Sequence, residues 1–280
     1  MRTDVAESDR LNSEFWNELC GTHLAKHLGI EDSSTRSLEI FDSWYMRFYS
    51  YLFNYLAMDD IRNKKVIEIG LGYGTLSQIL FSGQCDYTGI DIASGPVEMV
   101  RLRIGYKNCG QSARAVKGTA LNLPFQNESV DFIFAIGSLH HTGNLKQAIS
   151  ECHRVLKKNG KLVFMVYYAY SYRRIFTEVN LTIRYSFKEF LGYRGVLMSK
   201  FSRERLAYDA NKDGHAAPHT DWISKKSLKV LCSQFSEVSC YLENIDNGKP
   251  YNKEGLERRN LLKTIYPKIW GLDLYCEAKK

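Results

Sequence analysis

The chain has no run of about 18 or more apolar residues, so no transmembrane helix is expected. It has no C-x-x-C pair. Its seven cysteines (Cys20, Cys85, Cys109, Cys152, Cys232, Cys240 and Cys276) are scattered and odd in number, which argues against a zinc site or a disulfide framework. Reduced, mostly buried thiols in a cytoplasmic protein are the expectation. Residues 1–10 are polar and charged, unlike a signal peptide. Internal repeats and low-complexity segments are absent. The net charge of +7 suits an anionic substrate but is too small to mark a nucleic-acid binder. What is present is an ordinary 44% hydrophobic content over 280 residues, enough for one large or two small domains.

The most informative stretch is Val66-Ile67-Glu68-Ile69-Gly70-Leu71-Gly72-Tyr73-Gly74-Thr75. Its β-branched residues suit a parallel strand covered on both faces. Alternate glycines allow a sharp turn and close approach of a ligand. The following helix points its free N–H groups at that turn. A tight strand–helix turn without a ligand would use the same glycines. A second strand, Tyr87-Thr88-Gly89-Ile90-Asp91, ends in an acid where such folds place a ribose-binding carboxylate. The spacing is G-x-G-x-G. A dinucleotide site would place its third glycine where Thr75 stands.

From residue 64 onward, strands are expected at 65–69, 86–91, 113–116, 130–136 and 162–167. Helices between them cover 74–82, a segment opened by Ser94-Gly95-Pro96, and 145–156. The last of these is read as ending in a basic turn and a glycine stop at Lys157-Lys158-Asn159-Gly160. Such alternation argues a doubly wound α/β sheet, with ligands at the carboxyl ends of the strands. Residues 1–61 read as a helical cap, with a long aromatic helix from Ile40 to Leu56. Residues 62–168 read as the core. Residues 169–222, rich in tyrosine and arginine, read as a helical insertion over the strand ends. In 223–280 we expect a helix at 224–234, a strand at 237–243, a loop at 246–258, a helix at 256–266 and a strand at 272–278.

Three further segments complete a pattern: Gly118-Thr119-Ala120-Leu121-Asn122-Leu123-Pro124-Phe125, Gly137-Ser138-Leu139-His140-His141-Thr142, and Arg154-Val155-Leu156-Lys157 with Gly160. With Glu68 and the glycine run, they resemble the class I S-adenosylmethionine (SAM) dependent methyltransferases of the small-molecule, ubiquinone-biosynthesis-like type. The resemblance covers about residues 60–168. It implies a seven-stranded Rossmann-like sheet and SAM as cofactor, with S-adenosylhomocysteine as product. It implies that Glu68, Gly70, Gly72, Tyr73 and Gly74 lie at the methionine part. Asp91 would accept from the ribose hydroxyls and Ile92 would pack on the adenine. Thr119, Ala120 and Leu121 would sit at the adenine edge, and Gly137 would flank the methionine end. Thr119 departs from the pattern, which often has an acid there to accept from the adenine amino group.

Methyl transfer from a sulfonium is a direct displacement that needs alignment and exclusion of water. A hydroxyl acceptor also needs a base. His140 and His141 follow the fourth strand and are the candidates, although either could simply shape the loop. Tyr45, Tyr49, Tyr168, Tyr172, Arg173 and Arg174 are candidate substrate contacts, the arginines for a carboxylate or phosphate. His215, His219, Asp213 and Asp221 lack metal-ligand spacing, and no metal is expected. The expected activity is methylation of an O or N atom of a small, perhaps anionic, molecule. An RNA or other nucleic-acid methyltransferase is the alternative. The basic insertion supports it; the missing N-P-P-Y and Pro-Cys motifs oppose it. A non-catalytic SAM-binding protein is a third reading. Acceptor and oligomeric state stay open.

Overall fold

The computed structural model describes residues 2–108, 112–198, 201–246 and 257–280. Cys109, the start of the helix expected at 256 and most of the 246–258 loop lie outside them. Three helices lead the chain: α1 (Arg2–Trp16), α2 (Thr22–His27) and α3 (Thr35–Phe48). Ser34 caps α3 by accepting the Ser37 N–H at 3.3 Å. The long helix expected to run to Leu56 instead stops at Phe48, and Leu52–Tyr55 forms a 3-10 turn. Packing explains the break. Leu52 and Leu56 are wholly buried, and Tyr55 stacks on Tyr275 with ring centroids 4.3 Å apart.

The alternation follows as β1 (Lys65–Ile69), α4 (Thr75–Ser82), β2 (Asp86–Asp91), α5 (Ser94–Lys107), β3 (Ala113–Lys117), β4 (Val130–Ile136), α6 (Leu145–Val155) and β5 (Leu156–Tyr168). The rest comprises α7 (Tyr172–Thr177), α8 (Val179–Phe190), β6 (Leu197–Met198), α9 (Ser202–Leu206), β7 (Asp221–Ile223), α10 (Lys225–Leu231), β8 (Glu237–Glu243), α11 (Arg258–Leu261), α12 (Tyr266–Trp270) and β9 (Asp273–Lys279).

The sheet runs β3-β2-β1-β4-β5 in parallel, continued by antiparallel β9 and then β8. This is the expected seven-stranded doubly wound sheet. Two more strands join it. The end of β5 also pairs with β7 through Tyr167↔Trp222 and Tyr168↔Ile223, and β7 carries β6. With two and three residues, β6 and β7 are too short for a period-2 pattern to show in the sequence.

Two further expectations are corrected. The segment Lys157–Gly160 belongs to β5, not to the last turn of α6; Asn159, at φ 64°, takes the left-handed position instead of Gly160. The helix expected at 256–266 is two short helices, and Pro267 sits at the start of the second, where its missing N–H costs nothing.

Successive strand residues face opposite sides. Ile67, Ile133 and Phe164 enter one core with α6 residues Ala148 and Ile149. Val66, Phe132, Phe134, Val163 and Met165 enter the other with α4 and α5, and Leu52 and Leu56 close it. Because both faces are covered, these strands read as near-continuous apolar runs. The N-terminal segment is therefore part of the second core. Leu52→Ala should lower unfolding free energy by about 2–5 kcal/mol in urea titration. A loss below about 0.5 kcal/mol, as for a surface site, would show that this segment is not part of the core.

Candidate functional site

The carboxyl ends of β1, β2 and β4 open onto a cavity of about 310 Å³. Its floor is the turn after β1. Gly70 and Gly74 have φ of 83° and 79°, and each also meets a neighbour that a side chain would strike. A Cβ on Gly70 would lie 2.3 Å from Ser138 Cβ, and one on Gly74 would lie 2.9 Å from Arg103 Cδ. Ser138 is held there by donating from Oγ to the Ile69 carbonyl at 2.6 Å. The turn is therefore glycine-dependent through the protein's own packing, whatever ligand it meets.

Asp91, at the end of β2, is buried on the cavity wall. Its Oδ2 accepts the Leu71 N–H at 2.8 Å and its Oδ1 accepts the Ala93 N–H at 2.9 Å. A carboxylate offers about four acceptor positions, and the Ile92 N–H also bears on this one, so not all of them are taken by backbone. Burial pushes its carboxyl up to about 6 against the pull of those N–H groups. Glu68, one strand over, is more deeply buried; burial pushes it up to about 8, and Tyr87 donates its hydroxyl to it at 2.5 Å.

The turn is braced from behind by Arg103 of α5, which has no exposed surface. Its Nε donates to the Tyr73 carbonyl at 2.9 Å. Nη1 and Nη2 donate to the two Asp42 carboxylate oxygens at 2.8 and 2.9 Å. Asp42, on α3, also accepts from Thr75 Oγ1 at 2.7 Å. One carboxylate thus joins α3, the glycine turn, α4 and α5. Tyr73 stacks on Phe41 of α3 at 4.2 Å.

Helices α1 and α3 wall the cavity. Asp9, Asn12 and Trp16, at i, i+3 and i+7 on one face of α1, all line it, as do Phe41, Trp44, Tyr45 and Tyr49. Asn12 donates Nδ2 to the His141 carbonyl at 2.9 Å, and Ser13 donates Oγ to the Ile92 carbonyl at 3.0 Å. Asn12 Oδ1 is buried on this wall without a donor. Asp9 is hydrogen-bonded to Thr119, and burial raises its carboxyl. An acid does stand beside Thr119, supplied by a helix about 110 residues away in sequence. The helical spacing of Asp9, Asn12 and Trp16 was the available signal.

His141 adjoins the α1 wall, its ring 4.9 Å from Trp16. Its Nδ1 lies 2.8 Å from the His219 carbonyl, which only accepts, so Nδ1 carries the proton. Nε2 then faces Asp209 Oδ2 at 3.6 Å. Asp209 is raised by burial and accepts from Tyr167 OH at 3.1 Å on both oxygens. Nothing in the sequence singled out Asp209; it arrives from the loop after α9.

Of the expected site residues, Glu68, Gly70, Gly72, Tyr73, Gly74, Asp91, Ile92, Thr119, Ala120, Gly137, Tyr45, Tyr49 and His141 meet at this cavity. The others do not line it. Leu121 packs into the core. His140 is wholly buried between His141 and Tyr167, and burial holds its imidazole well below the usual value, so it is neutral and out of reach. Tyr168 packs toward Tyr170, and Tyr172 OH donates to Asp246. Arg173 pairs with Asp246 at 2.7 Å, and Arg174 lies buried over the Trp222 ring, 3.7 Å from Glu204. The arginine pair therefore forms no anion clamp at the cavity: Asp246 pairs with Arg173, and Arg174 is buried against the Trp222 ring with its guanidinium nitrogens making no hydrogen bond among the described residues.

Comparison with known proteins places this geometry. Residues 67–164 match the family described as a methyltransferase domain. Similar curated proteins include a malonyl-[acyl-carrier protein] O-methyltransferase of Methylococcus capsulatus, 32% identical over 37% of this chain and 37% of that protein. A demethylmenaquinone methyltransferase of Thermotoga maritima is 27% identical over 38% of this chain and 44% of that one. A ubiquinone biosynthesis O-methyltransferase of Histophilus somni is 32% identical over 37% and 45%. The chain thus spans less than half the length of these relatives. Among solved structures, the YcgJ protein of Bacillus subtilis aligns with 83% of this chain and 98% of its own, at TM-score 0.53 and 18% identity. A SAM-dependent methyltransferase of Methanosarcina mazei covers 83% and 97%, at TM-score 0.51 and 18% identity. At that identity the likeness is one of fold.

The Arg103–Asp42 pair yields a test of the wall. Asp42→Ala leaves a buried guanidinium without its carboxylate, which should cost about 3 kcal/mol or more in denaturant titration. A cost near zero would mean that the pair does not hold α3 to the turn.

Proposed function

We propose, from the class I methyltransferase domain at residues 67–164, that this chain moves the methyl group of SAM to a hydroxyl of a small acceptor. The observation that carries the reading is the cavity at the carboxyl ends of β1, β2 and β4. A spare-capacity carboxylate, Asp91, lies on one wall and an imidazole, His141, on another. The residues fit SAM. Asp91 has acceptor positions left for a diol, and Asn12 Oδ1 waits on the wall for a donor. Asp9 beside Thr119 supplies a carboxylate to accept from an amino group. Among the described residues, a Cβ on Gly72 would meet only Cys20, in ordinary contact at 3.5 Å from its Cβ.

When bound, SAM supplies an activated methyl on a sulfonium. The chain's residues do the rest. Trp16, Trp44, Tyr45 and Tyr49 give an aromatic wall that excludes water and suits a planar or apolar acceptor and a cation. His141 Nε2 takes the proton of the acceptor hydroxyl as the O–CH3 bond forms. Asp209 stabilises the resulting imidazolium. The His219 carbonyl fixes the ring's tautomer and orientation. Helices α1 and α3 act as the cap and the 169–222 segment as the carrier of Asp209. The lack of an arginine clamp favours a neutral acceptor over an anionic one.

Labelled methyl from SAM should enter the small-molecule or lipid fraction of a host extract; label in RNA would overturn the reading. Asp209→Asn should lower turnover by about 10²-fold with SAM affinity unchanged, and an unchanged rate would remove it from the reaction. Asp91 gives a pH signature. Its carboxyl, near 6 in the free protein, must be ionised to accept from two hydroxyls. Affinity for SAM should therefore be level above pH about 7 and fall by up to about tenfold per pH unit below 6. Asp91→Asn should bind weakly and lose that dependence, as read by calorimetry; an unaltered pH profile would sink the ribose assignment.

A further inference from the structure

Helix α8 is built the wrong way round for a helix that simply covers the core. Its buried positions are Thr182, Tyr185 and Glu189. Glu189 accepts from Tyr170 OH at 2.7 Å and from the hydroxyls of Ser224 and Ser227, so the inward face is a closed polar network. The outward face carries Val179, Ile183, Phe187 and Phe190, with Leu191 just past the end. Phe187 is 61% exposed and Phe190 84%. At 3.6 residues per turn these four fall within one narrow stripe about three turns long. Exposed Phe176 precedes the stripe, and exposed Met198 and Phe201 follow α8 in the same insertion. Single exposed apolar residues are ordinary, but a row of this size marks a surface that something covers.

Charge indicates what covers it. Next along the outward arc come Arg184 and Lys188, both exposed. Between residues 179 and 194 the only acid is Glu189, which faces inward. A second copy of the chain seated on this stripe would bring like charges together with no exposed acid in this helix to answer them. An anionic surface with an apolar interior answers both features at once. We propose that α8 and its flanks dock on an anionic lipid bilayer. The stripe enters the boundary between headgroups and acyl chains, and Arg184 and Lys188 lie against the headgroups. Among the described residues no helix is long and apolar enough to cross a membrane, so the contact is a surface one.

The test uses the whole chain with two sets of vesicles, phosphatidylcholine alone and phosphatidylcholine mixed with phosphatidylglycerol. We expect co-sedimentation with the anionic vesicles and little with the neutral ones, weakening in high salt. Phe187→Glu with Phe190→Glu should cut binding at least tenfold. Both residues are exposed, so the double variant should keep its fold and its affinity for SAM. Arg184→Ala with Lys188→Ala should narrow the difference between the two vesicle types. The proposal is overturned if the protein stays in the supernatant with both vesicles, or if the phenylalanine variant sediments as well as the parent. It is equally overturned if light scattering shows a dimer that the phenylalanine variant splits, since a second copy would then be the covering surface.

Discussion

The Arg103 guanidinium holds the site together. It is fully buried, grips the Tyr73 carbonyl, and forms a two-pronged pair with Asp42. Burying a charge is expensive unless every N–H finds an acceptor. Here the acceptors come from α3 and the glycine turn, with Gln78 of α4 at 3.2 Å. The turn cannot relax without stripping that guanidinium, and α3 cannot leave without taking its carboxylate. The same arginine fills the space beside Gly74, which makes the glycine necessary. A charge pair remote from any chemistry thus sets the shape of the cavity floor.

From that floor the electrostatics of the cavity follow. Asp91 and Glu68 are both pushed up by burial, Glu68 to about 8 and Asp91 to about 6. At neutral pH the deeper acid keeps its proton while Asp91 is ionised, held so by the backbone N–H groups of Leu71, Ile92 and Ala93. Two ionised acids on adjacent strands would repel each other, so their different burial lets one serve as an acceptor. At the same cavity, His141 Nε2 faces the buried Asp209 carboxylate at 3.6 Å. The insertion closes this side of the site by supplying Asp209, while its own helix α8 turns its polar face inward and its apolar face outward.

Much of this was legible in the sequence because the signals were local. Near-continuous apolar runs, the glycine spacing and the acid ending β2 gave β1 to β5 and one wall of the cavity, since parallel strands covered on both faces leave a strong pattern. The failures were also physical. Arg173 and Arg174 looked free for an anion, but Asp246, 73 residues away, pairs with Arg173, and Arg174 is buried over the Trp222 ring away from the cavity. The two adjacent histidines were equivalent on paper. A half-turn of backbone puts His141 on the cavity and His140 in the core.

By itself, then, the sequence determined the strands of the doubly wound sheet, the glycine turn and the carboxylate beside it, because each leaves its signal within one local stretch of chain. Only the tertiary structure decided the roof and the proton partner. Asp9, Asn12 and Trp16 reach the cavity because α1 lies across the strand ends, and Asp209 because the insertion folds back over β5. These contacts join segments that share no periodicity or motif. They come from burying charges and rings against one another, and such pairings exist only once the chain has closed.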